Sequence, residues 1–170
     1  MALTLVLGGA RSGKSRHAEE LVERLAPPWT YIATAQAYDD EMAERIALHR
    51  SRRGAEWHTL DAPHDLADAL NGVPAGRPVL VDCLTLWLTN RMLADADVAA
   101  ESAALVEALA DHGGPVIVVS NEVGLGIVPD NALARRFRDA QGRLNQMVAQ
   151  RAGRVVFMVA GLPMNVKGSG

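Results

Sequence analysis

The chain has 170 residues, 49% of them hydrophobic and 22% charged, with a formal net charge of −3 at pH 7. That is the composition of a soluble globular domain, long enough for one and short for two, and its mild acidity supplies no basic field to draw in nucleic acid or an anionic membrane. Cys83 is the only cysteine, which excludes an intrachain disulfide and argues against a zinc cage; with no signal peptide before the first apolar run and no run of membrane-spanning length, a cytoplasmic protein is expected.

The first apolar run, LTLVLG (3–8), predicts a strand, and a helix follows over about 14–26, closed by Pro27 and Pro28. WTYIAT (29–34) predicts the second strand and leads to a helix over 39–53. A short helix over 64–71 ends at Gly72. PVLVDC (78–83) is the next strand, then a helix over 97–111 closed by Gly113 and Gly114. PVIVVS (115–120), a long helix over 131–151 and RVVFMVAG (154–161) complete the pattern, and KGSG (167–170) reads as a flexible end. The strand segments are almost continuously apolar rather than alternating, as in a parallel sheet covered on both faces. The expected fold is therefore α/β, a single domain over residues 1–170 with a mainly parallel sheet and helices on both faces. Ligands of such sheets sit beyond the carboxyl ends of the strands, which directs attention to residues 8–15, 34–36, 82–85 and 121–126.

GGARSGKS fills every fixed position of G-x-x-x-x-G-K-[ST], between a strand and a helix. Gly8, Gly9, Ala10, Arg11, Ser12, Gly13, Lys14 and Ser15 form this P-loop, where glycines let backbone N–H groups curl around phosphate oxygens at a helix amino terminus. Lys14 would meet the β- and γ-phosphates, the Ser15 hydroxyl would ligate Mg²⁺, and Arg11 adds a cation. Asp82 closes its strand where P-loop enzymes place the acid that holds Mg²⁺; capping of the following turn is the plainer alternative. Cys83 reads as a packing residue. No N-K-x-D signature marks a switch GTPase, and the chain is too small for a motor or transporter ATPase. A small-molecule kinase or nucleotide transferase remains.

ERIALHRSRRG (44–54) sets His49 among four arginines on a helical stretch. At 100° per residue, His49 falls between an apolar side (Met42, Ile46) and a cationic one (Arg45, Arg52), with Arg53 close by. It is either polar surface or a nucleophile whose pKa the guanidiniums depress, and spacing leaves both readings open. Glu122 either orients an acceptor hydroxyl or caps the helix starting near Asn131. His17, His58, His64 and His112 read as structural or solvated, and Trp29, Trp57 and Trp87 as core or subunit anchors.

Taken together, LGGARSGKSRHAEEL, YIATAQAYDDEMAERIALHRSRRG, VDCLTLWLTN and VSNEVGLGIVPDNALARRFRDAQGRLNQ resemble the bifunctional adenosylcobinamide kinase / adenosylcobinamide-phosphate guanylyltransferase family of cobalamin biosynthesis, over nearly the whole chain. The resemblance implies phosphorylation of adenosylcobinamide with ATP or GTP, then transfer of GMP from GTP through a guanylyl-histidine, giving adenosylcobinamide-GDP and pyrophosphate. The family's catalytic histidine corresponds to His49, acting with Lys14. Its nucleotide contacts correspond to the P-loop, to Ala33, Thr34 and Ala35, to Arg50, Ser51, Arg52 and Arg53, and to Asp61 and Asp82, with Ser15 and Asp82 toward Mg²⁺. A homotrimer is likewise implied by the resemblance. A single-step P-loop kinase with a structural His49, or a nucleotide-binding regulatory module, are the rival readings.

Overall fold

A computed structural model describes residues 3–37, 39–51 and 53–168, with the side chains of all of these except Arg45 and His49. In chain order the elements are β1 (Leu3–Gly8), α1 (Lys14–Glu23), β2 (Trp29–Ala33), α2 (Asp40–Ser51), β3 (Trp57–Asp61), α3 (Leu66–Asn71), β4 (Val79–Asp82), α4 (Leu84–Leu93), α5 (Val98–Asp111), β5 (Val116–Asn121), α6 (Ala132–Arg151), β6 (Arg154–Val159) and β7 (Leu162–Lys167). The strands form one sheet in the order β3-β2-β4-β5-β1-β6-β7. Every neighbouring pair is parallel except β6–β7, which is antiparallel.

The unbroken apolar runs have the expected cause: both faces of the central strands are buried. Leu5, Ile32 and Val81 point to one side, into a core completed by Leu66, Leu84, Leu88, Leu105, Leu109 and Leu144 from α3, α4, α5 and α6. Val6, Tyr31 and Leu80 point to the other, against Ala18 and Val22 of α1 and the edge of Trp57. The α/β fold with helices on both faces is as expected, but unequally clothed: four helices on one face and α1 on the other.

Three elements escaped the sequence reading. β3 is an edge strand with only Trp57 buried, so WHTLD lacks the apolar run that marks the central strands. α4 is buried on several sides (Leu84, Thr85, Trp87, Leu88, Asn90), which erases the amphipathic period. β7 carries Pro163, tolerable on an edge where no ladder donor is needed. Its last residue also corrects the flexible-end reading of 167–170: Lys167 pairs across to Val155, and its ammonium donates to the carbonyls of Ala149 (2.9 Å) and Gln150 (3.1 Å). Residues 169–170 lie outside the described residues.

α2 differs in kind from the other helices. None of its described side chains is fully buried, and only Met42 and Ile46 are half-buried. It stands beside the carboxyl end of the sheet, tethered by an ion pair between Arg50 and Asp61 at the end of β3.

Candidate nucleotide-binding site

Residues 8–15 follow the strand–loop–helix path the motif requires. Arg11 takes a left-handed backbone (φ 54°) and Gly13, at the N-cap of α1, another (φ 88°). The cap has no side-chain acceptor, so the first amides of α1 stay open toward a ligand. Gly8 is required by close approach: a Cβ there would lie 2.3 Å from the Ser12 hydroxyl oxygen. The loop is braced from the far end of the chain, because the N–H of Gly161, in the β6–β7 turn, donates to the Ser12 carbonyl (3.0 Å). The Lys14 ammonium folds back onto the Gly9 carbonyl (2.9 Å). Burial holds its pKa below the ordinary lysine value, partly offset by Cys83 and Asp82 nearby.

Above this loop lies a cavity of about 330 Å³. Lys14 and Ser15 form its floor, Asp82 and Asn121 line it from the ends of β4 and β5, Thr85 from the first turn of α4, and Ala33 and Ala35 from the end of β2 and just beyond it. Met42, Ile46 and Arg50 of α2 close one side, together with Arg53. Asp82 does not cap α4, whose N-cap is Cys83; its carboxylate faces the cavity and accepts a hydrogen bond from the Tyr31 hydroxyl (3.0 Å). Arg53 lies over the Tyr31 ring, its guanidinium carbon 3.5 Å from the ring centroid. Its Nε and Nη1 are buried without a hydrogen-bond partner among the described residues. Burial, followed by the Asp82 charge, pushes the Tyr31 phenol far up, so it remains a donor.

Not every expected contact residue faces the cavity. Thr34 is fully buried, its hydroxyl donating to the Cys83 carbonyl (2.6 Å) and accepting from the Cys83 N–H (2.8 Å). It locks β2 to β4 rather than touching a ligand through its side chain. The Ser51 hydroxyl donates to the Leu48 carbonyl, within α2. Asp61 is engaged by Arg50. Arg52 and the side chain of His49 lie outside the described residues, although position 49 belongs to α2. The Cys83 thiol is buried and pushed up to about 11, chiefly by that burial, in keeping with packing rather than reactivity. Glu122 turns back to accept from Gly124 N–H, and Asn131 caps α6 itself, so the capping alternative for Glu122 fails.

Among the cavity-lining residues the sequence left unmarked is Tyr31, since in WTYIAT it reads as one more apolar strand residue. Period-two spacing was the available signal: Tyr31 shares a face with Ala33, beside Asp82 in the sheet register.

The residues present suit a magnesium–phosphate complex. Among the described residues no group of three His, Cys, Asp or Glu side chains converges. A hydroxyl and one carboxylate beside a phosphate cradle match the way Mg²⁺ is usually held, with most of its coordination left to phosphates and water.

Fold and cavity define a P-loop nucleotide-binding protein. Its sheet resembles that of the RadB recombinase (TM-score 0.54, 17% identity, covering 92% of this chain and 73% of that one) and of a prototypical ATPase from the type III secretion system of pathogenic bacteria (TM-score 0.53, 10% identity, covering 92% and 50%). These likenesses concern the fold alone. The family model for cobinamide kinase / cobinamide phosphate guanyltransferase matches residues 4–166, and the chain belongs to that family. It is 54% identical to the bifunctional adenosylcobalamin biosynthesis protein CobP of Pseudomonas aeruginosa, covering 96% of both chains. It is 41% identical to the bifunctional adenosylcobalamin biosynthesis protein CobU of Salmonella typhimurium, covering 97% of this chain and 99% of that one.

Proposed function

We propose that this chain phosphorylates adenosylcobinamide with ATP or GTP and then transfers GMP from GTP onto the new phosphate, through a covalent intermediate on His49. Family membership supports the pair of activities. One observation carries the assignment of residues: the P-loop, Asp82 and the helix bearing position 49 border a single cavity. In the first step the P-loop amides and Lys14 hold the β- and γ-phosphates while the acceptor hydroxyl attacks the γ-phosphorus. The bond from that phosphorus to the β,γ-bridging oxygen breaks, nucleoside diphosphate leaves with the electron pair, and the hydroxyl proton passes to solvent. In the second, the neutral imidazole of His49 attacks the α-phosphorus of GTP. A P–N bond forms, the bond from that phosphorus to the bridging oxygen breaks, and pyrophosphate leaves with the electron pair. The acceptor phosphate then displaces His49. Arg50 and Arg53 offset the charge that builds on phosphorus. Mg²⁺, held toward Ser15 and Asp82, would neutralise triphosphate charge when bound.

One loop must serve attack at γ in one step and at α in the other, so α2 is the element that shifts. Its shallow burial and exposed tether permit this. The exposed Leu125, Ile127, Leu162, Met164 and Val166 support association with further subunits, since apolar surface of this kind is usually covered by another chain, and the number three is what the family resemblance implies. Among the described residues no helix is long and apolar enough to cross a membrane, and the soluble triphosphate substrates favour the cytoplasm.

The test is incubation with Mg²⁺ and GTP labelled at the α-phosphate. The protein acquires acid-labile, base-stable label, and His49→Ala abolishes it while leaving ATP-dependent phosphorylation of adenosylcobinamide. An unlabelled wild-type protein that still phosphorylates the corrinoid would be a single-step kinase.

A further inference from the structure

Tyr31 touches two opposite charges at once. Its ring is held edge-on by Trp57 (centroids 6.1 Å apart, planes at 76°) and supports the Arg53 guanidinium on its face. Its hydroxyl donates to one oxygen of Asp82, leaving the other for the cavity. The side chain itself is 6% exposed, so it is a fixture of the wall rather than a surface ligand. From these contacts we infer that Tyr31 is a positioning residue that sets the magnesium-side carboxylate and the phosphate-side guanidinium at fixed places on either side of the bound triphosphate. The inference rests on the reading above for the presence of triphosphate in this cavity.

The physical argument has two halves. A free Asp side chain rotates about two torsions; the phenol fixes one oxygen and thereby aims the second, as partners of metal-ligating groups commonly do. An arginine following a lightly packed helix would otherwise sample many rotamers. Stacking on a buried ring holds the guanidinium where it lines the cavity, so that its charge stands ready for phosphate oxygens. Because both halves share one side chain, displacing the ring moves both charges together.

Calorimetric binding of the α,β-methylene analogue of GTP, which cannot lose pyrophosphate to His49, at varied Mg²⁺ and in EDTA separates the halves. Tyr31→Phe keeps the ring and loses the hydroxyl. It raises the Mg²⁺ needed for half-maximal binding by about tenfold and leaves binding in EDTA unchanged. Tyr31→Leu shows the same Mg²⁺ shift and also weakens binding in EDTA, by about fivefold. Arg53→Ala weakens EDTA binding in the wild type but adds little in Tyr31→Leu. Unchanged Mg²⁺ dependence in Tyr31→Phe overturns the carboxylate half. An Arg53→Ala penalty of equal size in both backgrounds overturns the guanidinium half. If Tyr31→Leu does not fold, as judged by its melting profile, Tyr31→Met takes its place. Absence of α-phosphate label on the wild type would sink the transferase reading and leave these binding comparisons intact, whereas normal labelling with no effect at Tyr31 would sink only this inference.

Discussion

At the scale of single residues, Lys14 carries the clearest electrostatic prediction. Burial lowers its pKa in the free protein, and phosphates placed against it favour the ammonium and raise that pKa. Between the two values, binding of a nucleotide therefore takes up a proton. Calorimetry of GTP binding on the alkaline side, in buffers of different ionisation enthalpy, should show net uptake that Lys14→Met removes. Gly13 carries the clearest steric one. Its φ of 88° suits glycine, and a Cβ there would sit 3.4 Å from Gly161 Cα. Gly13→Ala should cost about 1–2 kcal/mol through the left-handed backbone and loosen nucleotide binding, measured by denaturant titration and calorimetry. The P-loop was legible to the last position because its function is a backbone shape with a fixed residue pattern. Tyr31 was not, because a strand tyrosine looks the same whether its hydroxyl meets water or a carboxylate.

At the scale of elements, α2 is the part whose role and stability diverge. The Arg50 and Asp61 side chains are 44% and 58% exposed, so their ion pair contributes at most about 1 kcal/mol. Asp61→Ala should leave the melting temperature nearly unchanged while altering the rate of α-phosphate labelling. A stability loss of several kcal/mol would show α2 to be anchored far more firmly than its burial indicates. The position of this helix in the chain was legible from its length and composition, and its apolar stripe of Met42 and Ile46 does face the cavity. What periodicity could not say is that the stripe meets a ligand site instead of the core. The same limit hid α4, whose apolar residues surround it, and β3 and β7, whose edge positions free them from the central-strand pattern.

At the scale of the whole molecule, the four-helix face supplies most of the buried hydrocarbon. Leu144→Ala, deep in that face, should cost about 2–5 kcal/mol, read by denaturant titration, with the cavity near the P-loop unaffected. The same face is clasped by a two-pronged ion pair, Arg91 to Glu101 at 2.6 Å through each prong. The Arg91 hydrogen bonds hold the Glu101 pKa below its ordinary value. A depressed carboxylate stabilises the fold above its unfolded pKa of about 4.3, and the contribution drains away as pH falls through the lower folded value. Glu101→Gln should therefore lower stability by about 1 kcal/mol at neutral pH, and the gap to the wild type should close in acid. A gap that persists under strongly acidic conditions would assign the loss to packing.

The hydrogen bond from Gly161 to Ser12 joins the last turn of the sheet to the first loop of the chain, and β1 itself lies between β5 and β6. On the ribosome, the glycine-rich signature emerges before residues 154–161, and it lacks that flanking strand and its brace until they have been read. Nascent chains halted before that turn should pass over a triphosphate column, and full-length chains should be retained. The cradle lies in residues 8–15 and its brace comes from residue 161, so a chain halted between the two should hold nucleotide poorly.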